Sequence, residues 1–138
     1  MIFKSPEYVL SSAIVRSPEA ALLIGQRVYP VLAPASATLP FITWRRAGIQ
    51  REQTLARPAG MPRVTIEFSV YGTTYEEART VADAVRSVLD GYGGSANNTE
   101  VKQTSLEDES DDFVTLTGSD LPPVYQITQR YDCWWSEE

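Results

Sequence analysis

The amino-acid sequence predicts an α+β fold: an antiparallel β-sheet with an N-terminal helix pair and one long helix packed on one face. Two neighbouring stretches predict this class. Residues 63–72 alternate apolar and polar side chains with period two, which is typical of a strand with one buried face. Residues 78–89 then repeat apolar side chains at helical spacing. The apolar faces of this strand and this helix have to be buried against each other.

The central strand and the long helix have clear boundaries. Glu67 lies on the polar face of the strand, and Gly72 ends the apolar alternation. A capping box over residues 73–77 predicts where the helix begins, and Gly91 predicts where it stops. The side chains expected on the buried face of the strand are those of Val64, Ile66, Phe68 and Val70.

Two serine–proline–glutamate triplets predict the N-terminal helix pair. The first triplet, at residues 5–7, begins a helix that runs to about Arg16. The second, at residues 17–19, begins a shorter helix through Leu23, so the two helices are separate at Ser17. A short extended piece from Gln26 to Pro30 follows.

Three further strands and three connections complete the expected architecture. The strands are Phe41–Gln50, a polar edge strand Glu100–Leu106, and Val124–Trp135. Residues 51–62 form a long loop that is functional or mobile, and Gly91–Asn98 is a flexible turn. Because the run Glu107–Asp112 is too charged for a core, we expect it to be a loop.

Composition limits the possible functions. A chain of 138 residues is expected to form one domain, residues 1–138. The sequence has no histidine, which excludes serine–histidine and cysteine–histidine catalysis and nearly all zinc sites. Its single cysteine, Cys133, excludes an intrachain disulfide. The N-terminus lacks the long apolar core of a signal peptide, so a cytoplasmic location is expected.

The charge is strongly polarised along the chain. The net charge of −6 argues against a nucleic-acid binder that neutralises phosphates. Residues 99–120 contain seven acids and one base, whereas residues 45–63 contain five arginines and one acid. The sequence therefore predicts one acidic and one basic segment on different parts of the same subunit.

The order of these elements resembles a known family. The resemblance covers nearly the whole chain and is most specific at residues 25–30 and 63–89, while residues 51–62 and 107–120 match no family pattern. The chain resembles the tail-completion proteins of long-tailed bacteriophages, also called tail-terminator or tail-to-head joining proteins. The segments that carry the resemblance are GQRVYP, LPFITWRR, RVTIEFSVYGTTYEEARTVADAVRSVL and YQITQRYDCWW.

The resemblance implies a structural virion protein at the head–tail junction, assembled in the host cytoplasm. Such a subunit forms a homo-oligomeric ring, usually a hexamer, on the head-proximal end of the tail tube. The ring stops polymerisation of the tail tube protein and presents a surface to the head–tail connector or stopper protein. Genomic DNA passes through the bore without specific binding. The resemblance implies no enzymatic activity, no cofactor, no metal and no membrane partner.

The polarised charges suggest how neighbouring subunits meet. A ring needs heterologous contacts, in which one patch meets a different patch on the neighbour. We expect Arg51, Arg57 or Arg63 to approach the Glu107–Asp112 run of the adjacent copy. Charge reversal at Arg57 alone or at Asp111 alone should then break the ring, and the two reversals combined should restore it. The full set of candidate interface residues is Arg45, Arg46, Arg51, Arg57, Arg63, Glu107, Asp108, Glu109, Asp111, Asp112 and Trp134.

A second hypothesis concerns the bore of the ring. An acidic lumen would repel DNA phosphates and keep the DNA sliding freely. The acidic run, or Glu67 on the polar face of the central strand, would supply that lining.

Simpler and competing interpretations stay open at this point. The acidic run is also typical of a solvated surface loop. Arg45 and Arg46 are also typical of ordinary charged residues at the edge of a strand. The tryptophans are typical of packing on a sheet face, although Trp134 and Trp135 point to opposite faces. The alternative functions are a capsid-side neck protein, an adaptor of a tail-derived defence or secretion system, and a small carboxylate-based hydrolase.

Overall fold

The computed structural model describes residues 6–31, 38–50, 63–96, 99–114 and 124–137. Within them the chain forms three helices and six strands. In chain order these are α1 (Pro6–Arg16), α2 (Pro18–Ile24), β1 (Val28–Pro30), β2 (Phe41–Gln50), β3 (Arg63–Gly72), α3 (Tyr75–Leu89), β4 (Gly94–Ala96), β5 (Thr99–Val114) and β6 (Val124–Glu137).

The six strands form one sheet in the order β1-β2-β3-β6-β5-β4. Every neighbouring pair is antiparallel except β1 and β2, which run parallel. The predicted α+β fold with a sheet and one long helix is therefore confirmed. The parallel pair was not expected, because a three-residue strand is too short to show any periodicity.

The core lies between one face of the sheet and the helices. α1 and α3 pack on this face, and α2 packs against both of them. We call this face the helix side and the opposite face the open side. Val64, Ile66, Phe68 and Val70 point to the helix side and are fully buried, as the period-two pattern predicts.

Helix α3 begins as the sequence predicts. The Thr74 hydroxyl accepts a hydrogen bond from the Glu77 amide at 3.1 Å, and the Glu77 carboxylate accepts one from the Thr73 amide at 2.8 Å. The first bond is the N-cap bond of a capping box, whereas the Glu77 side chain reaches the amide one residue before the N-cap Thr74. Gly72 is needed just before this capping box, since a Cβ at this position would lie 2.8 Å from the Ala78 nitrogen.

Two connections predicted as irregular are strands. The acidic run Glu107–Asp112 lies inside β5, which is 16 residues long and pairs with β6 from Thr99 to Val114. The predicted flexible turn Gly91–Asn98 contains β4, paired with the start of β5. The loop prediction for the acidic run was wrong because an edge strand needs a partner on only one side and tolerates charged side chains.

The last strand alternates its side chains between the two sides of the sheet, and Trp134 and Trp135 point to opposite sides as predicted. The helix side of β6 carries Ile127, Tyr131, Cys133 and Trp135, all buried, and also Gln129. Trp134 points to the open side and is half-buried. In the part of the chain that the structure describes, no helix has the length and apolar character required to cross a bilayer.

Candidate interaction surfaces

The open side of the sheet is polar and carries a row of alternating charges. The strand registers place Arg45 of β2, Glu67 of β3, Arg130 of β6 and Asp108 of β5 side by side across four strands. One oxygen of Glu67 accepts hydrogen bonds from Arg45 at 2.9 Å and from Arg130 at 2.8 Å. Opposite charges directly across neighbouring strands stabilise the pairing.

Glu67 is ionised within this row. Burial alone would raise the pKa of its carboxyl, but the hydrogen bond from Arg130 and the charges of Arg45 and Arg130 outweigh burial, and the pKa is lowered. Because two guanidinium groups surround one carboxylate, the centre of the open side is not acidic. The prediction that Glu67 lines the bore stays a prediction.

The lowered pKa of Glu67 gives a pH-dependent contribution to stability. A carboxylate whose pKa is lower in the folded chain stabilises the fold above its unfolded pKa, and this stability is lost as the pH falls through the folded pKa. We expect Glu67→Gln to cost about 1 kcal/mol at pH 7, because both arginines are partly exposed. That difference from wild type should shrink in urea titrations as the pH falls below 4.5, the ordinary pKa of a glutamate carboxyl. A difference that does not change with pH would contradict this assignment.

On the helix side, Arg46 reaches a buried carboxylate on α1. Glu7 lies in the first turn of that helix and its side chain is only 3% exposed. Arg46 binds both carboxylate oxygens, with its Nη2 3.0 Å from Oε2 and its Nε in closer contact with Oε1. The hydrogen bond from Arg46 to Glu7 raises the pKa of the guanidinium. This bidentate ion pair fixes α1 against the edge of the sheet.

The acidic segment, residues 107–112 of β5, divides its charges between the two sides of the sheet. On the helix side, Glu109 and Asp111 accept hydrogen bonds from Arg79 of α3 at 3.0 and 2.9 Å. On the open side, the Asp108 and Asp112 carboxylates accept from the backbone amides of Glu109 and Phe113. Neither Asp108 nor Asp112 forms an ion pair with a side chain that the structure describes. Arg130 lies opposite Asp108 across the strands, so within the described part of the chain the carboxylate of Asp112 is the one of these two without a basic neighbour in register.

A buried polar group ties the acidic segment to the core. Gln129 is fully buried, and its amide nitrogen donates to the Glu109 carboxylate at 2.7 Å and to the Ala82 carbonyl at 2.9 Å. Its amide oxygen accepts a hydrogen bond from the Tyr131 hydroxyl at 2.9 Å. Burial raises the pKa of Glu109, but the bonds from Gln129 and Arg79 lower it by more. Glu109 is thus held as a carboxylate.

The other predicted interface residues have different positions. Arg51 and Arg57 lie outside the described residues. Arg63 is in β3, where its guanidinium lies 3.8 Å from Asp132 of the same subunit. Glu107 is exposed and accepts a hydrogen bond from Ser105 at 2.9 Å. The structure therefore places Arg45 and Arg46 at one edge of the sheet and the acidic segment at the opposite edge.

Sequence reasoning missed several contributors. The sequence shows Glu7 only as part of a helix-start triplet, and it contains no local signal for the contacts of Arg79 with β5. Gln129 interrupts the apolar alternation of β6 at a position that faces the core, and that position was the available signal for a buried polar group. Phe113, directly after the acidic segment, is 60% exposed.

Comparisons with known proteins agree with the resemblance of the sequence. Residues 9–134 match the family model described as tail completion protein gp17. Among solved structures, a chain described as "Virion of native gene transfer agent (GTA) particle" matches with a TM-score of 0.73 and 12% sequence identity. This match covers 91% of the present chain and 90% of the other chain. A search of curated proteins found no match.

Proposed function

The chain belongs to the tail completion protein gp17 family, and from this premise we propose that it forms a ring on the head-proximal end of the tail tube. It is a structural protein of the virion tail. In the proposed role, the ring ends polymerisation of the tail tube protein and offers its other rim to the head–tail connector or stopper protein. The six-copy ring, the one-domain subunit and the absence of catalysis are parts of this proposal.

The observation that carries the proposal is the placement of opposite charges at opposite edges of one sheet. Arg45 and Arg46 lie on β2 beyond the residues that pair with β1, where β2 forms the edge of the sheet. We call these two residues the basic edge. The acidic segment lies on β5 beyond the residues that pair with β4, where β5 forms the opposite edge of the sheet. A patch that is complementary to a different patch on the same molecule makes a heterologous contact, which closes into a ring when the rotation between copies allows it.

The charges also support a bore that does not hold DNA. The acidic segment has exposed carboxylates at Glu107, Asp108, Asp111 and Asp112. Those carboxylates of the segment that the contact with the next copy leaves free would face the lumen and repel phosphates, so DNA would pass without specific binding. We therefore expect no retention of duplex DNA by the assembled ring in a gel-shift assay at low salt. Tight binding that weakens with salt would contradict an acidic bore.

The test of the proposed function is addition of the purified chain to polymerising tail tube protein of the same virus. The proposal predicts that tubes stop growing at one end and that electron microscopy shows a ring there. Light scattering after size-exclusion chromatography measures whether the ring also forms without tubes. Tubes that keep their length distribution and carry no added density would overturn the proposed function.

Charge reversal at the two edges tests whether they meet between copies. Each of Arg45→Glu and Asp112→Arg is expected to weaken ring assembly about tenfold, because like charges then face each other across the contact. The double variant should recover most of the loss. Lys102→Glu, a reversal elsewhere on β5, is the matched control. Single variants that assemble like wild type would show that these edges do not meet.

A further inference from the structure

An open groove lies on the helix side of the sheet at the basic edge. It has a volume of about 990 Å³ and lies between α1 and the strands β1 and β2. Its lining includes the apolar side chains of Val15, Val28 and Trp44 and the ion pair of Arg46 with Glu7. Grooves that are lined by apolar side chains and bordered by a few charged ones are typical of binding sites.

The rim of this groove holds an unusual residue. Val31 is 67% exposed and has a φ of 61°. A β-branched side chain is strained in this left-handed conformation, and exposure gives it no compensating burial. Backbone strain of this kind is concentrated at functional sites.

An exposed aromatic side chain, that of Phe113, lies at the opposite edge of the sheet. Phe113 of β5 is 60% exposed and is paired in register with Tyr125, which shares the helix side with the buried residues of β6. The ring of Tyr75 packs edge-on against Tyr125 at 6.4 Å. Phe113 follows Asp111 and Asp112, so its surroundings are acidic. Few large apolar side chains in the described part of the chain are as exposed as Phe113, and a packing partner on another molecule would explain its exposure.

We propose that Phe113 of one subunit packs into the groove between α1 and the β1–β2 edge of the next subunit. Both features lie on the helix side at opposite edges of one sheet, as a head-to-tail contact requires. Their charges are complementary, because Arg45 lines the groove with its side chain 56% exposed and the carboxylates of the acidic segment precede Phe113. This inference rests on the proposed ring.

The first test uses cross-linking between copies. Ser12 lines the groove, and Ser12→Cys changes its size little. The native Cys133 is buried, and burial raises the pKa of its thiol to about 12, so it does not react. A mixture of the single variants Ser12→Cys and Phe113→Cys, treated with a short bismaleimide, should give covalent dimers. Neither variant alone should give them. The pair Leu22→Cys and Phe113→Cys is the control, because Leu22 is 88% exposed on α2 and does not line the groove.

The second test measures assembly. Phe113→Ala is expected to raise the subunit concentration needed for ring formation at least about tenfold, as for an aromatic anchor of an interface. The thermal midpoint of the unassembled subunit should stay unchanged. Leu22→Ala, which truncates another exposed apolar side chain, should assemble like wild type. Rings that form normally with Phe113→Ala and without the predicted cross-link would overturn this inference and leave the proposed function standing. A wild-type chain that forms no ring, alone or on tubes, would overturn both.

Discussion

Replacing Arg46 with alanine is expected to lower the free energy of unfolding by about 2–3 kcal/mol, since it leaves the carboxylate of Glu7 buried without its partner. The estimate is below that for a fully buried pair because the Arg46 side chain is 40% exposed. Urea unfolding at pH 7, followed by tryptophan fluorescence, measures the change. The loss should also loosen α1 from the sheet and raise amide hydrogen exchange in that helix.

The neighbouring arginine is the matched control for Arg46. Arg45→Ala should cost less than about 1 kcal/mol, because Arg45 is more exposed and Glu67 keeps its hydrogen bond to Arg130. In the Arg46→Ala background, Glu7→Gln should recover part of the loss, since a neutral amide is less costly to bury than a charge. Equal effects of the two arginine substitutions would contradict a structural role for the Glu7–Arg46 pair.

Replacing Gln129 with leucine is expected to lower the free energy of unfolding by about 3 kcal/mol. Leucine matches the size of glutamine but removes its hydrogen bonds to Glu109, Ala82 and Tyr131. The Tyr131 hydroxyl is then buried without the acceptor it has in the native chain, and Glu109 loses a donor. Because Glu109 belongs to the acidic segment, this variant should also weaken ring assembly.

Two variants separate the effect of the hydrogen bonds from that of the side-chain change. Gln126→Leu places the same change on the open side of β6, where the amide is half-buried and its hydrogen bonds are long, and it should cost less than about 1 kcal/mol. Adding Tyr131→Phe to Gln129→Leu removes the stranded hydroxyl and should recover part of the stability. If Gln126→Leu and Gln129→Leu have equal effects, the buried network does not stabilise the fold as described.

Local patterns predicted most of the fold. The helices begin at serine–proline–glutamate triplets and at a capping box, and these signals depend only on neighbouring residues. Strands β2 and β3 alternate with period two and have the expected bounds. The acidic segment was missed because its strand conformation depends on pairing with β6 and on Arg79 from α3, which are distant in sequence.

For the candidate interaction surfaces, the sequence predicts the sign of the charge of each segment but not where the segment lies in the fold. Counting charges separates the acidic segment from the arginines of β2, but only the sheet order places them at opposite edges. The pairing of Arg46 with Glu7 joins residues 39 positions apart and has no local signal.

Electron cryo-microscopy of an intact tail that contains this chain tests the central claim most directly. We expect a closed ring at the head-proximal end of the tube, in which the acidic segment and Phe113 of each copy contact the α1–β2 edge of the next copy. A ring whose neighbours meet through the same patch on both copies, or density for this chain away from the end of the tube, would contradict it.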